Sequence, residues 1–544
     1  MYIQNSVRKY LELYTLLVSD QIFEESESKT KMEYIQNNVD MDKTKFVESI
    51  FLVFELLDDK ILDFMEFFLS KILSTQFEDS FTEKFGSKLY YKIMKSEYNL
   101  YGKMTKIENE TFNCLQIQTN YNDYDVIGRI IEIVQEKLRN EDDGEFKLAA
   151  KNLIKRTKLI KRYVNKLKNT ENINNEGNEY SQIETFLNLL KILEDKKDLD
   201  KKVYFTYYSN FISLHLKYNN WSEAGIAQLN YIKMIDDQMS IKNDLNKKKT
   251  KLYKKCIQYF TNAKDWERCV YVCSQLEKLY LNEAHNFEKV AKILNIKAGF
   301  YVNMSNSETR FYPYYYRVVF TGNFDDELKL NEWVYRSRHL EQLNSFINRL
   351  LGHYTGSIFG TIKDGENPEK KYINITTLTL PEKKSNLDLT NNKKEYEQNN
   401  NIDIFYYTVP CQKGEKKSLK TLWTKKIYLQ SNHKCPCVHR KSKIIKKWTE
   451  MVSPISAAIE AINSKTKKIK NIMFKVIKSS DIKSDLKILV LNLQGIIDAA
   501  VSGGTKLYID EFFVKKPIYL DLYPEEVNNT QMFIQCIYDQ QVLT

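Results

Sequence analysis

Phe311–Thr321 reads FYPYYYRVVFT, and it is where the hydrophobic period of the chain changes. Before about residue 308, apolar residues recur every three or four positions. Here aromatic and β-branched residues run together, a composition that favours the pleated surface of a sheet. Gly322-Asn323 supplies turn chemistry, and Trp333-Val334-Tyr335 follows as a second strand. Tyr372, Ile373, Ile375, Thr377 and Thr379 mark another strand, and Ile404–Val409 and Leu422–Leu429 add two more. Residues 309–445 therefore read as a β-sheet lobe with a short helix near Leu340–Leu351. The insertion at 383–401 (KKSNLDLTNNKKEYEQNNN) is low in complexity and reads as a disordered loop.

On the N-terminal side the period is helical. Asn220-Trp221-Ser222-Glu223-Ala224 is matched 45 residues later by Asp265-Trp266-Glu267-Arg268-Cys269. In each, a polar cap precedes a Trp that opens an apolar stripe. Trp266, Cys269, Val270, Cys273 and Leu276 share one helical face, and Phe287, Val290, Ala291, Leu294 and Tyr301 share another. Stacked helical hairpins, or a plain bundle, account for residues 203–308. Residues 1–165 form a further helical region, with Phe51, Phe54, Leu57, Leu62, Phe64, Phe68 and Ile72 at helical spacing. Residues 166–202 read as a linker and connecting helix, because Asn169–Glu179 is polar and aperiodic. After the sheet lobe, residues 446–544 return to helix. Ser453 is a cap, Pro454 suits the first helical position, and Ile455, Ala458, Ile459, Ile462, Ile469 and Met473 form one stripe. The fold class is mainly α with a β-sheet lobe.

Composition narrows the function. The chain has 544 residues, a net charge of +11 and a hydrophobic fraction of 42%, enough to bury several cores. Eight Cys show no regular framework, which favours a reducing compartment. No signal peptide or membrane-length apolar run is visible, so the expected location is cytoplasmic. There is no Walker loop, dinucleotide fingerprint or zincin motif, and six scattered His define no hydrolase triad. No cofactor is expected.

Three segments stand out. Between Lys413 and Lys447 twelve Lys/Arg face one acid, Glu415. Such a stretch attracts an anionic partner, or it is a solvated sheet edge protected by lysine. His433-x-Cys435-Pro436-Cys437-x-His439 has zinc-type ligands at alternate positions, which on a strand span about 20 Å, too far for one ion. It is expected to hold no metal. The third segment is Gly495-Ile-Ile-Asp498-Ala-Ala500-Val501-Ser502-Gly503-Gly504, an apolar break between helices. It is either a buried interhelical turn or a short apolar probe whose paired glycines admit a partner's backbone.

Taken together, Trp266-Glu267, Phe311–Phe320, Val409-Pro410 with Lys413-Gly414-Glu415-Lys416, Val452-Ser453-Pro454-Ile455 with Ala458-Ile459-Glu460, and Gly495–Gly504 resemble, in order, the catalytic DOCKER region of DOCK-family guanine nucleotide exchange factors, nearest the Rac-directed branch. The resemblance spans roughly residues 203–525. It implies three lobes: a helical array at 203–308 that dimerises, an antiparallel β lobe at 309–445 and a helical bundle at 446–544. It implies a Rho-family, Rac-like GTPase as partner, and a homodimer. It also implies nucleotide release without covalent chemistry, and so no enzyme in the bond-making sense. By motif match Val501 is the nucleotide sensor that excludes Mg2+. Gly495, Asp498, Ala500, Ser502, Gly503 and Gly504 form its loop, and Lys413, Gly414, Glu415 and Lys416 face the GTPase. Ala499 stands where the family's Pro is expected. Two other readings are a GTPase-binding scaffold without exchange activity and a basic helical-repeat nucleic-acid binder. The family reading expects no nucleic acid, and expects recruitment to the membrane or a scaffold by an unnamed partner.

Overall fold

The computed structural model describes residues 79–117, 126–171, 179–194, 201–236, 242–282, 285–305, 313–338, 341–361, 369–381, 400–414, 418–478, 505–543 and most of 486–493. They fall in two compact units that divide between Arg310 and Phe311, at the change of period.

The first unit is helical. It begins with α1 (Asp79–Tyr101), α2 (Thr105–Ile117), α3 (Val126–Lys137) and α4 (Gly144–Glu171). Asp143 starts α4, its carboxylate accepting from the backbone N–H of Glu145 and Phe146 at 3.1 Å each. Phe146, Ala150, Leu153, Ile154, Ile160 and Val164 then lie buried along one face. A buried carboxylate, Glu97 of α1, accepts from the N–H of Lys106 (2.7 Å) and Ile107 (2.9 Å) at the positive end of α2. Arg156 of α4 reaches buried Glu108 of α2 at 2.5 Å. Helix α4 continues through Glu171, past residue 166 where a linker is expected. Lys166, Leu167 and Lys168 are good helix formers and extend a helix already anchored by its buried face.

After α5 (Glu179–Glu194) come α6 (Lys201–Lys217), α7 (Trp221–Asp236), α8 (Lys242–Asn262), α9 (Trp266–Asn282) and α10 (Phe287–Ser305). The two Trp segments begin α7 and α9 after turns of one geometry. Asn220 N–H bonds His215 O (2.9 Å) and Asn219 N–H bonds Leu216 O (3.0 Å); Asp265 N–H bonds Phe260 O (2.9 Å) and Lys264 N–H bonds Thr261 O (3.0 Å). Asn219 and Lys264 take left-handed φ of 57° and 54°, as this helix-ending pattern requires. The caps differ. Asp265 accepts from Arg268 N–H, whereas the Asn220 amide donates to Glu179 (2.8 Å).

Helix α10 departs from expectation. Its inner stripe is Val290, Ile293 and Phe300, packed on Trp266, Cys269, Val272 and Cys273. Of the face read from sequence only Val290 is buried; Phe287, Ala291, Leu294 and Tyr301 are exposed. The helix is apolar on two sides, and spacing alone does not say which meets α9.

The second unit opens with β1 (Tyr315–Gly322), β2 (Glu332–Arg336), α11 (Leu343–His353), β3 (Ser357–Phe359), β4 (Lys371–Leu378), β5 (Ile402–Gln412), β6 (Leu422–Cys435) and β7 (Lys441–Val452). One sheet has the order β3-β4-β1-β2-β7-β6-β5. It is antiparallel except for the parallel β3–β4 pair, so the lobe is mixed. The sheet curls, and reciprocal bonds between Thr379 and Tyr406 (2.8 and 2.9 Å) bring β5 back to the end of β4. Successive residues of β1 serve opposite faces. Tyr315 enters the interior with Val334, Phe405 and Leu429, and Tyr316 stacks at 4.4 Å on Phe346 of α11. Strand β7 runs to Val452, beyond the boundary expected at 445, because Lys446–Glu450 pair residue by residue with Gln430–Lys426. The expected loop at 383–401 falls largely on residues 382–399, outside the described residues.

Helix α12 (Pro454–Lys478) begins at Ser453, whose hydroxyl accepts from Ser456 N–H at 3.3 Å. Ile455, Ala458, Ile459 and Ile462 pack with Phe512, Tyr519, Phe533 and Ile537, drawn from the stretch after α13 (Thr505–Ile509) and from α14 (Val527–Leu543). A wide helical turn, Asp510–Val514, extends α13 and ends before Pro517.

Gly225 of α7 has a steric reason to be Gly. A Cβ there would lie 2.6–2.8 Å from the ring of Phe260, itself 0% exposed. Gly225→Ala is expected to lower stability by about 1–3 kcal/mol despite the better helix propensity of Ala. A denaturant melt of the variant checks this.

Candidate functional site

Two of the segments that carry the sequence signals, Val409–Gly414 and Val452–Glu460, lie in the second unit, where the β5–β6 hairpin reaches the helical bundle. Its tip is built on Lys413 and Gly414. Lys413 N–H donates to Thr421 O (2.9 Å), and its ammonium sits 3.6 Å from the ring centroid of Trp423. Gly414 has φ of +112°, a turn conformation that a side chain disfavours. Glu415 and Lys416 lie outside the described residues.

Three side chains fasten this hairpin to the bundle. Lys420, 5% exposed, donates to the carbonyls of Lys515 and Pro517 at 2.6 Å each. Trp423 Nε1–H donates to the hydroxyl of Tyr523 (3.2 Å), with the rings edge to face at 5.6 Å. Lys426 bridges both carboxylate oxygens of Glu460 on α12 at 2.6 and 2.7 Å. The sequence reading did not single out Trp423, Tyr523 or the role of Lys420. Lys420 meets its acceptors 95 and 97 residues away, and no local spacing signals that.

Pairing register orders the hairpin surface. Val409, Lys425 and Met451 form one cross-strand row. Val409 and Met451 are exposed, as is Leu422. The opposite face carries Tyr406, Tyr428 and Trp448 side by side; the Tyr428 and Trp448 rings are stacked at 5.4 Å and 7°. The Tyr428 hydroxyl donates to Glu450 (2.9 Å). Burial, then that carboxylate, pushes its pKa up to about 12.

The basic stretch is not a uniform patch. Lys420 and Lys426 are committed to the bundle, Arg440 is buried, and Lys447 reaches Glu332 at 3.2 Å. Lys441 lies over Trp333 (4.5 Å) and Lys446 over Trp448 (5.7 Å). Sequence charge therefore overstates what faces outward; Lys434, Lys443, Lys446 and Lys447 are the exposed cations of β6 and β7.

At His433–His439 the chain turns at Pro436, and the two imidazoles stack at 3.8 Å and 8°. Cys435 is buried in the lobe interior, while the Cys437 thiol is directed to His439 O at 3.5 Å. Burial lowers the pKa of His433. Among the described residues no group of three or more His, Cys, Asp or Glu is arranged to hold a metal ion. Gly495, Asp498, Ala500, Val501, Ser502, Gly503 and Gly504 lie outside the described residues; α12 and α13 stand on either side of them in the chain.

Residues 362–434, spanning β4, β5 and most of β6, match the family described as DHR-2, Lobe B. The chain is 24% identical over 389 residues to Dedicator of cytokinesis protein 3 of Homo sapiens, covering 67% of this chain and 19% of that protein. It is 27% identical over 355 residues to Dedicator of cytokinesis protein 4 of Homo sapiens, covering 61% of this chain and 18% of that protein. The chain is similar to dedicator-of-cytokinesis (DOCK) proteins over these regions. It spans about a fifth of the length of the curated relatives it matches. The sheet lobe that carries the match is the one latched to the bundle through Lys420, Trp423 and Lys426. No helix among the described residues is long and apolar enough to cross a membrane.

Lys420→Met removes an ammonium that satisfies two carbonyls. It is expected to destabilise the second unit by about 2–3 kcal/mol. It should also speed amide exchange in residues 515–523, as read by hydrogen–deuterium exchange.

Proposed function

We propose that the chain is a guanine nucleotide exchange factor for a Rho-family, Rac-like small GTPase. The supporting observation is the DHR-2 lobe B match at 362–434, on a sheet lobe joined to a helical bundle in the order of the family's motifs. The hairpin tip at Lys413 and Gly414, with exposed Val409, Leu422 and Met451 beside it, is the contact surface for the GTPase. Such a surface discharges nucleotide by binding the nucleotide-free GTPase more tightly than the loaded form. No covalent bond is made or broken.

In this reading Val501 enters the nucleotide site from the loop Gly495–Gly504. Mg2+ demands oxygen ligands in near-octahedral geometry, and a pair of methyls offers none. Loss of the cation leaves the phosphates uncompensated, and nucleotide affinity falls. The β-branched side chain holds its methyls at a fixed angle. Gly503 and Gly504 admit the GTPase backbone closely, and Ala499 in place of Pro leaves the loop less constrained. Val501→Ala is expected to abolish most exchange while leaving folding and GTPase binding intact. The measurement is release of mant-GDP from a Rac-like GTPase, with and without excess Mg2+, beside a thermal melt. Full activity in a folded Val501→Ala protein would sink the sensor role, and binding without discharge by the wild type would favour a scaffold.

We also propose that the protein acts as a homodimer through the outer face of α10. Phe287, Leu294, Tyr301 and Val302 are 70%, 43%, 51% and 69% exposed and recur at helical spacing. Burying such a stripe against a second copy removes its apolar surface from water. Leu294→Glu with Val302→Glu should weaken the dimer by about tenfold or more with no loss of thermal stability. Sedimentation velocity across a concentration series checks this. The working location is the cytoplasm, with recruitment to the membrane.

A further inference from the structure

Helix α4 carries a feature that the exchange reading does not use. Its sequence, GEFKLAAKNLIKRTKLIKRYVNKLKNTE, holds seven Lys and two Arg, and its two acids, Glu145 and Glu171, sit at the ends; nine cations less two carboxylates leave +7. One side of the helix is core. On the other, Lys151, Lys155, Lys158, Arg162 and Lys166 are exposed at steps of four, three, four and four residues. With 100° per residue they fall within an arc of about 80°, over about 23 Å of helix. Leu148 (63% exposed) and Leu159 (38%) lie in or beside the same arc. Lys158 also reaches Gln135 Oε1 at 2.6 Å, a neutral partner that leaves its charge in place. Arg156, whose charge is answered by Glu108, lies outside the arc.

We propose that this face of α4 docks on an anionic lipid bilayer. A straight row of cations on one helix meets a flat sheet of negative headgroups simultaneously, and each Lys or Arg near such a surface adds attraction. The leucines decide between polyanions. Among cations laid on a nucleic-acid backbone, exposed Leu148 and Leu159 have nothing apolar to gain. At a membrane they reach the boundary between headgroups and acyl chains, as the apolar members of interfacial helices do. Because the buried face of α4 stays in the core of the helical unit, the helix binds as a fixed rail and does not have to fold on the membrane.

The test is sedimentation of the full chain with phosphatidylcholine vesicles, with and without phosphatidylserine, and needs no GTPase. Its outcome is thus separate from that of the exchange assay. Binding is expected only with phosphatidylserine, and it should weaken as salt rises. Lys151→Glu with Lys155→Glu and Arg162→Glu should lower binding by about tenfold or more. Leu148→Ser with Leu159→Ser should lower it about threefold. All five positions are exposed, and a circular dichroism melt confirms that each variant is folded. Equal binding to neutral vesicles, or undiminished binding by the folded charge-reversed variant, overturns the proposal. Tighter binding to duplex DNA than to phosphatidylserine vesicles, insensitive to the leucine changes, also overturns it, in favour of a nucleic-acid surface.

Discussion

The ammonium of Lys420, sealed between the carbonyls of Lys515 and Pro517, holds the sheet lobe to the helical bundle. A lysine that is 5% exposed is costly unless its protons are bonded. Here the two acceptors belong to the stretch that ends the wide helical turn at Val514. The charge is satisfied only when the hairpin and the bundle are both folded and in register. Trp423 and Lys426 extend the same seam, to Tyr523 and Glu460. The candidate contact surface is therefore set by residues whose first task is to align two lobes, and Lys413, stacked on Trp423, takes its position from that seam.

Cations in this protein serve two distinct purposes, which sequence charge does not separate. In the sheet lobe several of them lie over the rings of Trp333, Trp423 and Trp448 or pair with Glu332 and Glu460. Partly exposed pairs of this kind add little net stability and serve to align the elements they join. On α4 the cations face outward, with exposed leucines beside them and the acids kept to the helix ends. An outward row stays available to solvent-borne or membrane-borne negative charge, within the reach that salt screening allows.

The helical array reaches a similar economy through backbone geometry. Asn219 and Lys264 both adopt left-handed φ, and both turns close with the same pair of bonds. The turn geometry is shared while the side-chain caps differ, so the repeat is one of chain path more than of residue identity. The close crossing of α7 and α8 at Gly225 and the two-sided apolar character of α10 show where the array is tightest and where it remains open.

Hydrophobic period was enough to read the mainly helical chain with one sheet lobe, the change near 308, the Trp-initiated helices and the Ser453-Pro454 start of α12. These are local properties: side-chain direction repeats every 3.6 residues in a helix and every two in a strand, and caps act within one turn. The motif at Val409–Lys416 also carried the resemblance, since it lies within the lobe B match at 362–434. What the tertiary structure decided is long in range. It set the parallel β3–β4 pair, the extension of β7 to Val452, the stacking of His433 on His439 with Cys435 turned into the core, and the face of α10 that is buried. Each depends on partners far along the chain, as the fate of Lys420 does, and a spacing rule sees only neighbours. A lysine in a basic run looks the same whether it meets water, an aromatic ring or two carbonyls nearly a hundred residues away; only the packed chain distinguishes them, because desolvation and hydrogen-bond geometry exist only once the lobes have closed on one another.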